Sequence, residues 1–376
     1  MTMEQQRVRD AHIMVVGCGA LGNEVLKNLA LSGVGHVVVV DCDVVEPDNL
    51  PRSVLYSKAD AQAGRKKVEA AAARLQAMSD TMEVTPLFGD IAYDVGLGWL
   101  RRMDVVIGCV DNRWARYCIN RLCMQAGVPW VDGGIDGLEG TARVFMPGKN
   151  CYACNLGPEG LRDLRYRMPC AGVVRRSVAA GKASTNSIIA SVIGAVQVQE
   201  AFKLLYPEEL AAGRLTSLVG SMFCYEGEHL TTKTVRFSGY DDDCPVHEQW
   251  NPIEATPMNG HTTVSDMLAW LRGQTNSEAV SILLDRDCFV DKVLLRADDS
   301  QVEVMLPGRA VEDFAARHPR LGGMPPQSAL YQHEYRAIDA TFPYQELTLS
   351  ALGIPDREVL HVTADGKDCY FELSEL

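Results

Sequence analysis

The sequence has too few basic residues to suggest a polyanion as its main partner. Lysine and arginine number 36 against 49 aspartates and glutamates, a net charge of −13. This balance argues against nucleic acid and against an anionic membrane surface. No apolar run looks long enough to cross a bilayer, because glycine, asparagine and glutamine interrupt the longest candidates. Internal repeats and low-complexity tracts are also absent.

A secretion signal is another missing feature, since the first residues, MTMEQQRVRD, are polar. Twelve cysteines without such a signal indicate a reducing compartment, and we expect a cytoplasmic protein. The thiols are then expected to be core residues, metal ligands or nucleophiles. The length of 376 residues allows two or three domains.

The stretch His12–Asp41 predicts a βαβ unit with a dinucleotide fingerprint. His12–Val16 is a short apolar run typical of a buried strand, and Val37–Val40 is a second one that closes on Asp41. Three glycines in G-x-G-x-x-G spacing open the helix between them: Gly17, Gly19 and Gly22. Such glycines let the backbone approach a phosphate at the positive end of a helix. A plain nicotinamide-binding domain is the alternative at this point.

Further strands predict an α/β fold with a Rossmann-like, doubly wound parallel sheet. The strands are expected at Met82–Phe88, Asp104–Cys109 and Pro129–Asp132, followed by an antiparallel addition. Helices are expected at about Gly64–Met78, Arg113–Gln125 and Ala183–Leu205. Because ligands bind at the carboxyl ends of parallel strands, the Gly17 loop, Asp41 and Asp111 should meet in one crevice.

Cations and acids around this crevice favour ATP cleavage over hydride transfer. The cluster comprises Asn49, Arg52, Lys67, Asp111 and Arg116. An enzyme that splits ATP between its α and β phosphates needs a cation to offset charge on pyrophosphate and an acid to hold Mg²⁺. Lys66 could replace Lys67 by spacing alone, and each cation could instead be a solvated surface charge.

Two cysteine-containing turns predict a structural zinc site. Cys151 and Cys154 form a C-x-x-C turn, and Cys244 and His247 form a C-x-x-H turn about ninety residues later. These ligand types and spacings suit tetrahedral Zn²⁺, which would pin two distant segments together. The alternative is a set of buried thiols with an incidental histidine.

The motifs together resemble the adenylation domain of ubiquitin-activating enzymes and their relatives ThiF and MoeB. The resemblance covers about residues 8–250 and includes GCGALGNEVLKNLALSGVGHVVVVDCDVVEPDNLPR. The matching positions are Gly17/Gly19/Gly22, Asp41/Asp43, Asn49-Leu50-Pro51-Arg52, Gly64-Arg65-Lys66-Lys67 and Asp111-Asn112. Ser53 departs from the family pattern, which usually has glutamine there.

The resemblance implies a role for each of these positions. The Gly17–Gly22 loop would lie beside ATP and Asp41 would hold the ribose. Asn49, Arg52 and Lys67 would bind the phosphates, with Asp43 and Asn112 in the same nucleotide-binding motifs. Asp111 would bind Mg²⁺ and align the attacking carboxylate.

Cys170 matches the position at which ubiquitin-activating enzymes form a thioester, within a short segment at about residues 155–182. A nucleophilic thiolate needs a lowered pKa and access. Nearby arginines could supply the field: Arg165, Arg167, Arg175 and Arg176. The alternative is an ordinary core cysteine.

The C-terminal part resembles the ubiquitin-fold domain of eukaryotic activating subunits. We therefore expect an adenylation domain at 1–250 and a small α+β domain at 255–376. Thr263 would cap a helix, and Asp365-Gly366 would turn a hairpin. The resemblance implies that this domain binds a conjugating enzyme. A β-grasp appendage that serves dimerisation or stability is the alternative.

The resemblance as a whole implies ATP-dependent activation of a ubiquitin-like protein, with transfer through Cys170 to a conjugating enzyme. A homodimer or heterodimer is expected, although Arg7 and Arg9 are poor substitutes for the arginine of the family's N-terminal arm. The compact layout favours a bacterial conjugation system, for example in antiviral defence. Sulfur-carrier activation of the ThiF/MoeB type and an inactive scaffold subunit are the other two hypotheses.

Overall fold

A computed structural model describes residues 3–157, 159–160, 164, 186–237, 239–284, 292–296, 302–305, 330–333 and 335–376. The chain divides into two compact units. The first contains the described residues up to Ala92, those from Trp99 to Leu164, and 186–249. The second contains Tyr93–Gly98 and the described residues from Trp250 onward. Cys170 and the four arginines near it lie outside the described residues.

The first unit is built on one eight-stranded sheet. Its strands are β1 (His12–Val16), β2 (His36–Asp41), β3 (Glu83–Phe88), β4 (Val105–Gly108), β5 (Trp130–Asp136), β6 (Glu139–Phe145), β7 (Ser221–Glu226) and β8 (Thr231–Arg236). They lie in the order β3-β2-β1-β4-β5-β6-β7-β8. The pairs from β3 to β5 are parallel, and those from β5 to β8 are antiparallel. The mixed sheet with a parallel Rossmann-like part agrees with the predicted α/β class.

Helices of the first unit connect and cover these strands. They are α1 (Met3–Asp10), α2 (Ala20–Leu31), α3 (Lys58–Ala63), α4 (Lys67–Met78), α6 (Arg113–Ala126), α7 (Ser187–Leu204) and α8 (Pro207–Ala211), while α5 (Leu97–Leu100) spans residues of both units. The core lies between the sheet and α2, α4 and α7, where the valines of β1 and β2 are almost fully buried. Gly194 lets α7 approach α2, since a Cβ there would lie 3.1 Å from Glu24 Cβ.

Gly64 ends a helix, and the helix predicted to begin near it and run towards Met78 starts three residues later, at Lys67. The structure has α3 before it and α4 after it. Gly64 adopts φ +57° and ψ +37°, the left-handed conformation in which glycine commonly terminates a helix. Ser57 caps the start of α3, and its hydroxyl accepts a hydrogen bond from Asp60 N.

By length and hydropathy alone α7 is long and apolar enough to cross a membrane, contrary to the expectation from the sequence. Half of this segment is buried inside the protein. Its buried residues pack in the first unit's core against α2 and the sheet, for example Ile189, Ile193 and Ala201. This packing gives a structural reason for the apolar composition.

The second unit contains two small sheets. The larger has the order β14-β10-β15-β16-β9, formed by β9 (Ile253–Ala255), β10 (Val280–Leu283), β14 (Ala337–Ile338), β15 (Val359–Ala364) and β16 (Lys367–Glu372). The smaller has the order β12-β11-β13, formed by β11 (Lys292–Arg296), β12 (Val302–Met305) and β13 (Leu330–His333). Helix α9 (Val264–Thr275) buries Val264, Met267, Leu268 and Leu271 against the larger sheet.

Two local features of the second unit agree with the sequence patterns. Thr263 caps α9, and its hydroxyl accepts a hydrogen bond from Asp266 N at 3.2 Å. Strands β15 and β16 form a hairpin that turns at Asp365 and Gly366, which have φ of +50° and +74°. Positive φ at both residues is what a type I′ hairpin turn requires.

Candidate nucleotide and metal sites

The carboxyl ends of β1, β2 and β4 lie side by side and form the candidate nucleotide site. Gly17 N donates to Val40 O at 2.8 Å, and Cys109 N donates to Val16 O at 2.7 Å. The Gly17 loop, Asp41 and the segment leading to Asp111 therefore follow neighbouring strands. This edge, where the connections diverge, is where open α/β sheets bind ligands.

The three glycines of the loop serve two different purposes. Gly17 has φ +95°, and a Cβ there would lie 2.5 Å from Cys109 O; a Cβ at Gly22 would lie 2.0 Å from Gly17 O. Both are therefore required by backbone packing. Gly19 has no heavy atom of the described protein within 4 Å of its Cβ position. The side of Gly19 is therefore open to a ligand that must approach the backbone.

Asn23 and Tyr56 hold the backbone of this loop, and sequence reasoning missed both. Asn23 Nδ2 donates to Cys18 O at 2.8 Å and to Gly19 O at 3.0 Å, while its Oδ1 accepts from Leu55 N. Tyr56 OH donates to Cys18 O at 2.5 Å. Asn23 is fully buried on α2, and the sequence alone did not distinguish it from the other polar residues of this helix.

Asp41 also contacts the backbone of this loop, through its carboxylate. Its Oδ2 accepts from Cys18 N at 2.6 Å, and its Oδ1 accepts from Asp43 N at 2.8 Å. Burial raises the pKa of the Asp41 carboxyl above its ordinary value, although Lys67 and the two amides act to lower it. The predicted ribose ligand is thus fixed against the glycine loop.

Lys67 is the cation that the structure brings to this pair of acids. Its Nζ lies 2.7 Å from Asp43 Oδ2, and its side chain is only 10% exposed. Burial lowers the pKa of Lys67, but the charge of Asp41 and the hydrogen bond to Asp43 outweigh it, so the pKa is raised. Lys66 is instead 46% exposed, and its Nζ lies 3.4 Å from Glu69 Oε1. Of the two lysines that the spacing allows, the structure therefore places Lys67 beside these acids.

Arg52 and Asn49 lie in one 3-10 turn, Pro47–Arg52. Asn49 Oδ1 accepts from Glu46 N at 2.9 Å, which fixes the turn. Arg52 is half-buried and has no ion-pair or hydrogen-bond partner among the residues that the structure describes. Ser53 is buried, and its Oγ lacks a hydrogen-bond partner in the same part of the chain. The turn thus carries a cation that makes no such contact in the described ranges.

Asp111 is exposed at the start of α6, directly after β4. Its Oδ1 accepts from Asn112 Nδ2 at 3.3 Å. Asn112 caps α6, with its Oδ1 accepting from Ala115 N at 2.7 Å. The structure therefore gives Asn112 a capping contact and leaves the Asp111 carboxylate accessible to a cation.

Arg116, predicted with the phosphate-binding cations, is engaged elsewhere. Its Nε donates to Asp132 Oδ1 at 2.9 Å, and its Nη2 donates to Gly133 O at 3.0 Å. Arg143 bonds the other oxygen of the same carboxylate. Arg116 is therefore part of a buried ion pair at β5.

The four predicted zinc ligands meet in the first unit. Their ligating atoms all lie within 4.8 Å of one another. The Sγ atoms of Cys151 and Cys244 are 3.7 Å apart, those of Cys151 and Cys154 are 3.6 Å apart, and Cys154 Sγ is 3.1 Å from His247 Nε2. Ligands bound at about 2.0–2.3 Å in a tetrahedron have separations near these. The residues therefore fit a zinc ion.

The surroundings of this Cys/His cluster also suit a metal. The hydrogen bond between Cys244 and Cys151 lowers the pKa of Cys151 and raises that of Cys244, so Cys151 is the first of this pair to ionise. Tyr240 stacks on the His247 ring with a centroid separation of 4.2 Å. Asn120 Oδ1 accepts from Tyr152 N and from Trp130 Nε1, which ties the Cys151–Cys154 turn to the core.

Comparison with known protein families identifies the family of the first unit. The model that describes the ThiF family matches residues 2–246, well over half of the sequence. The chain belongs to the ThiF family. The family resemblance inferred from the motifs is thereby confirmed, within the superfamily that includes ubiquitin-activating enzymes.

Relatives of this ThiF-family protein carry names that describe activation or adenylyl transfer. It is 34% identical over 246 residues to the SAMP-activating enzyme E1 of Haloferax volcanii, covering 64% of this chain and 82% of the relative. It is also 34% identical over 243 residues to the adenylyltransferase and sulfurtransferase MOCS3 of Mus musculus. That match covers 64% of this chain but only 48% of the mouse protein. The ThiF-family protein thus spans about half the length of some relatives.

Among solved structures, E. coli MccB, crystallised with ATP, has the same fold as the ThiF-family region. The TM-score is 0.51 at 21% sequence identity, over 65% of this chain and 68% of the MccB chain. At this identity the likeness concerns the fold alone.

Proposed function

We propose that this protein adenylates the C-terminal carboxylate of a small ubiquitin-like or sulfur-carrier protein with ATP and Mg²⁺. The observation that carries the proposal is the placement of Lys67 against Asp43 and Asp41, beside the open face of Gly19. A buried, charged lysine held by two acids at the end of the glycine loop serves triphosphate cleavage better than hydride transfer. The names of the relatives from Haloferax volcanii and mouse point the same way.

Each residue has a defined task in this proposal. Asp41 accepts the ribose hydroxyls, and Lys67 and Arg52 offset charge that develops on the leaving pyrophosphate. Asp111 would hold Mg²⁺, which would offset the negative charge of the phosphates. A carboxylate oxygen of the carrier attacks the α-phosphorus, the α–β bridging bond breaks, and the products are an acyl-adenylate and pyrophosphate.

ATP–pyrophosphate exchange tests this activity. The purified chain is incubated with labelled pyrophosphate, ATP, Mg²⁺ and a panel of recombinant ubiquitin-like and sulfur-carrier proteins that end in glycine. We expect carrier-dependent return of label to ATP, lost in Asp111→Asn. Asp80→Asn, which changes an exposed acid elsewhere, is the matched control. No exchange with any carrier, together with binding of NAD in place of ATP, would contradict the proposal.

Thioester formation on Cys170 is a second proposal, because the residue lies outside the described part of the chain. It rests on the sequence resemblance. After adenylation, the Cys170 thiolate would attack the acyl carbon and release AMP, which leaves the carrier bound as a thioester. We expect a reductant-sensitive adduct that disappears in Cys170→Ala and persists in Cys224→Ala. Persistence of the adduct in Cys170→Ala would remove Cys170 from this role, and absence of any adduct in wild type would leave the chain as a pure adenylyltransferase of the sulfur-carrier kind.

For the second unit we propose a ubiquitin-like fold that binds a conjugating enzyme. The parallel pairing of its first and last strands, β9 and β16, and the placement of α9 after β9 support the fold. Transfer of the activated carrier to a conjugating enzyme should then require residues 255–376. Pyrophosphate exchange, which precedes that transfer, should occur without a conjugating enzyme. Thiol transfer to a sulfur acceptor, with no binding of conjugating enzymes, would favour sulfur-carrier activation.

A further inference from the structure

A buried ion cluster on the sheet of the first unit contains more positive than negative charge. We name it the double-arginine cluster, and it consists of Arg116, Asp132 and Arg143. Asp132 has no exposed surface, and the two arginine side chains are 13% and 20% exposed. Arg116 donates to Asp132 Oδ1 and Arg143 to Asp132 Oδ2. Guanidinium groups remain protonated, so one carboxylate serves two cations.

In the described part of the chain, the surplus charge has no second hydrogen-bonded acid, although the charge of Asp111 acts on Arg116 and raises its pKa. Arg143 Nε is buried without a hydrogen-bond acceptor there. The Arg143 guanidinium instead lies over two aromatic rings, 5.3 Å from the centroid of Tyr152 and 6.0 Å from that of Phe145. Because an uncompensated charge away from water is costly, such a site favours binding of an anion.

The position of the cluster in the sheet indicates which anion it would bind. Asp132 lies opposite Gly108 of β4 and opposite Arg143 of β6. It is thus one strand from the β4 end that leads to Asp111, on the side away from β1 and β2. Asp41, Lys67 and Arg52 follow β2, on the other side. The triphosphate therefore has its own cations. The other anion of the proposed reaction, the attacking carboxylate, also needs a cation to bind it.

We propose that the double-arginine cluster binds the C-terminal carboxylate of the carrier protein and aligns it for attack on ATP. This inference rests on the proposed function for the identity of the anion. Arg143 is the residue we assign to direct contact, because it keeps the larger exposed fraction of the two arginines. Asp132 and Arg116 position it. The site would thereby distinguish a free C-terminus from an amide or an extended chain.

The test uses two fluorescent ten-residue peptides ending in Gly-Gly, one with a free carboxylate and one with a C-terminal amide. Binding to the full chain is followed by anisotropy with a non-hydrolysable ATP analogue present. We expect wild type to prefer the carboxylate at least tenfold. Arg143→Gln should abolish the preference and Arg143→Lys should retain part of it, because lysine keeps the charge but loses the fork. Arg236→Gln, on the exposed strand β8, is the matched control.

Three results would overturn the inference. One is equal affinity of wild type for the two peptides. Another is an undiminished carboxylate preference in Arg143→Gln, even with a lowered melting temperature, which would leave the cluster with a structural role only. The third is loss of affinity for the ATP analogue with the peptide preference intact, which would assign the cluster to phosphate.

A second variant and a separate assay cover two ways in which the experiment could fail. If Arg143→Gln does not fold, Arg143→Lys carries the comparison, with a reduced preference expected and an unreduced one contradicting the inference. Failure of the proposed function is seen separately, because it appears as absent pyrophosphate exchange in wild type while the peptide preference is measured without turnover.

Discussion

The Nζ of Lys67 lies 2.7 Å from Asp43 Oδ2, while the neighbouring Lys66 points to Glu69. A short antiparallel bridge between Val44 and Lys66 sets this arrangement, with Lys67 N donating to Asp43 O at 3.0 Å. Backbone pairing thus decides which of two adjacent lysines enters the candidate site.

The first prediction compares these two lysines. Lys67→Ala should lower the rate of ATP–pyrophosphate exchange by about 10²–10³-fold, the usual cost of removing one group that stabilises developing charge. Lys66→Ala should remain within about twofold of wild type, because an exposed ion pair contributes little. A loss of similar size in both variants would contradict the assignment of Lys67.

The second prediction separates the packing and binding roles of the glycine loop. Gly22→Ala places a Cβ 2.0 Å from Gly17 O and should destabilise the fold by about 1–3 kcal/mol, measured by denaturant unfolding. Gly19→Ala meets no protein atom and should cost less than about 1 kcal/mol, the difference between glycine and alanine at the start of a helix.

The substitution at Gly19 should affect nucleotide affinity much more than it affects stability. Gly19→Ala should weaken ATP binding at least tenfold by calorimetry while its melting temperature stays close to that of wild type. An unchanged ATP affinity in this stable variant would show that the open side of Gly19 does not face the nucleotide.

Local patterns predicted the parallel sheet and its crevice well. The strand His12–Val16 is as expected, and the helix predicted at Arg113–Gln125 ends one residue later, at Ala126. Short apolar runs and glycine spacing are local properties that a sequence displays directly. The Cys/His cluster was also visible, because two x-x spacings with metal-binding residue types are distinctive.

The errors arose where a residue's partner is distant in sequence or its conformation is ambiguous. Glycine is compatible with either end of a helix, so the helix that begins at Lys67 was predicted to start near Gly64, which ends the preceding helix. Arg116 is near Asp111 in sequence, but its partner, Asp132, comes from the next strand of the sheet. Asn23 gave no sign that it holds the glycine loop, since a buried asparagine is identified only by its tertiary contacts.

The third prediction concerns zinc. The purified chain should contain about one zinc per molecule, and Cys151→Ser should lose it. A metal at about 100 times its dissociation constant stabilises a fold by about 2.7 kcal/mol. The melting temperature should therefore fall by on the order of 5–10 °C. Cys224→Ser, a thiol outside the cluster, should keep both the zinc and the stability.

A chelator provides an independent check of the same site. It should lower the melting temperature of wild type to that of Cys151→Ser and leave the variant unchanged. A chelator-insensitive wild type without bound zinc would show that the four residues are a packed thiol–histidine cluster.

The fourth prediction concerns the pH dependence of ATP binding. Burial raises the pKa of Asp41, so its carboxylate is protonated at a higher pH than an exposed aspartate. Only the ionised form accepts hydrogen bonds with both oxygens, so ATP affinity should fall as the pH drops through this raised pKa. Lys67 has a raised pKa and therefore stays charged throughout this acidic range.

The Lys67→Met variant tests whether Asp41 is the group whose protonation weakens ATP binding. Lys67 is the nearby charge that lowers the pKa of Asp41 against burial, so its removal should raise that pKa further. The midpoint of the acidic limb of ATP affinity, measured by calorimetry between pH 4 and pH 8, should then move to higher pH. Asp41→Asn should flatten the limb. A midpoint that stays fixed or moves lower in Lys67→Met would show that another group controls the titration.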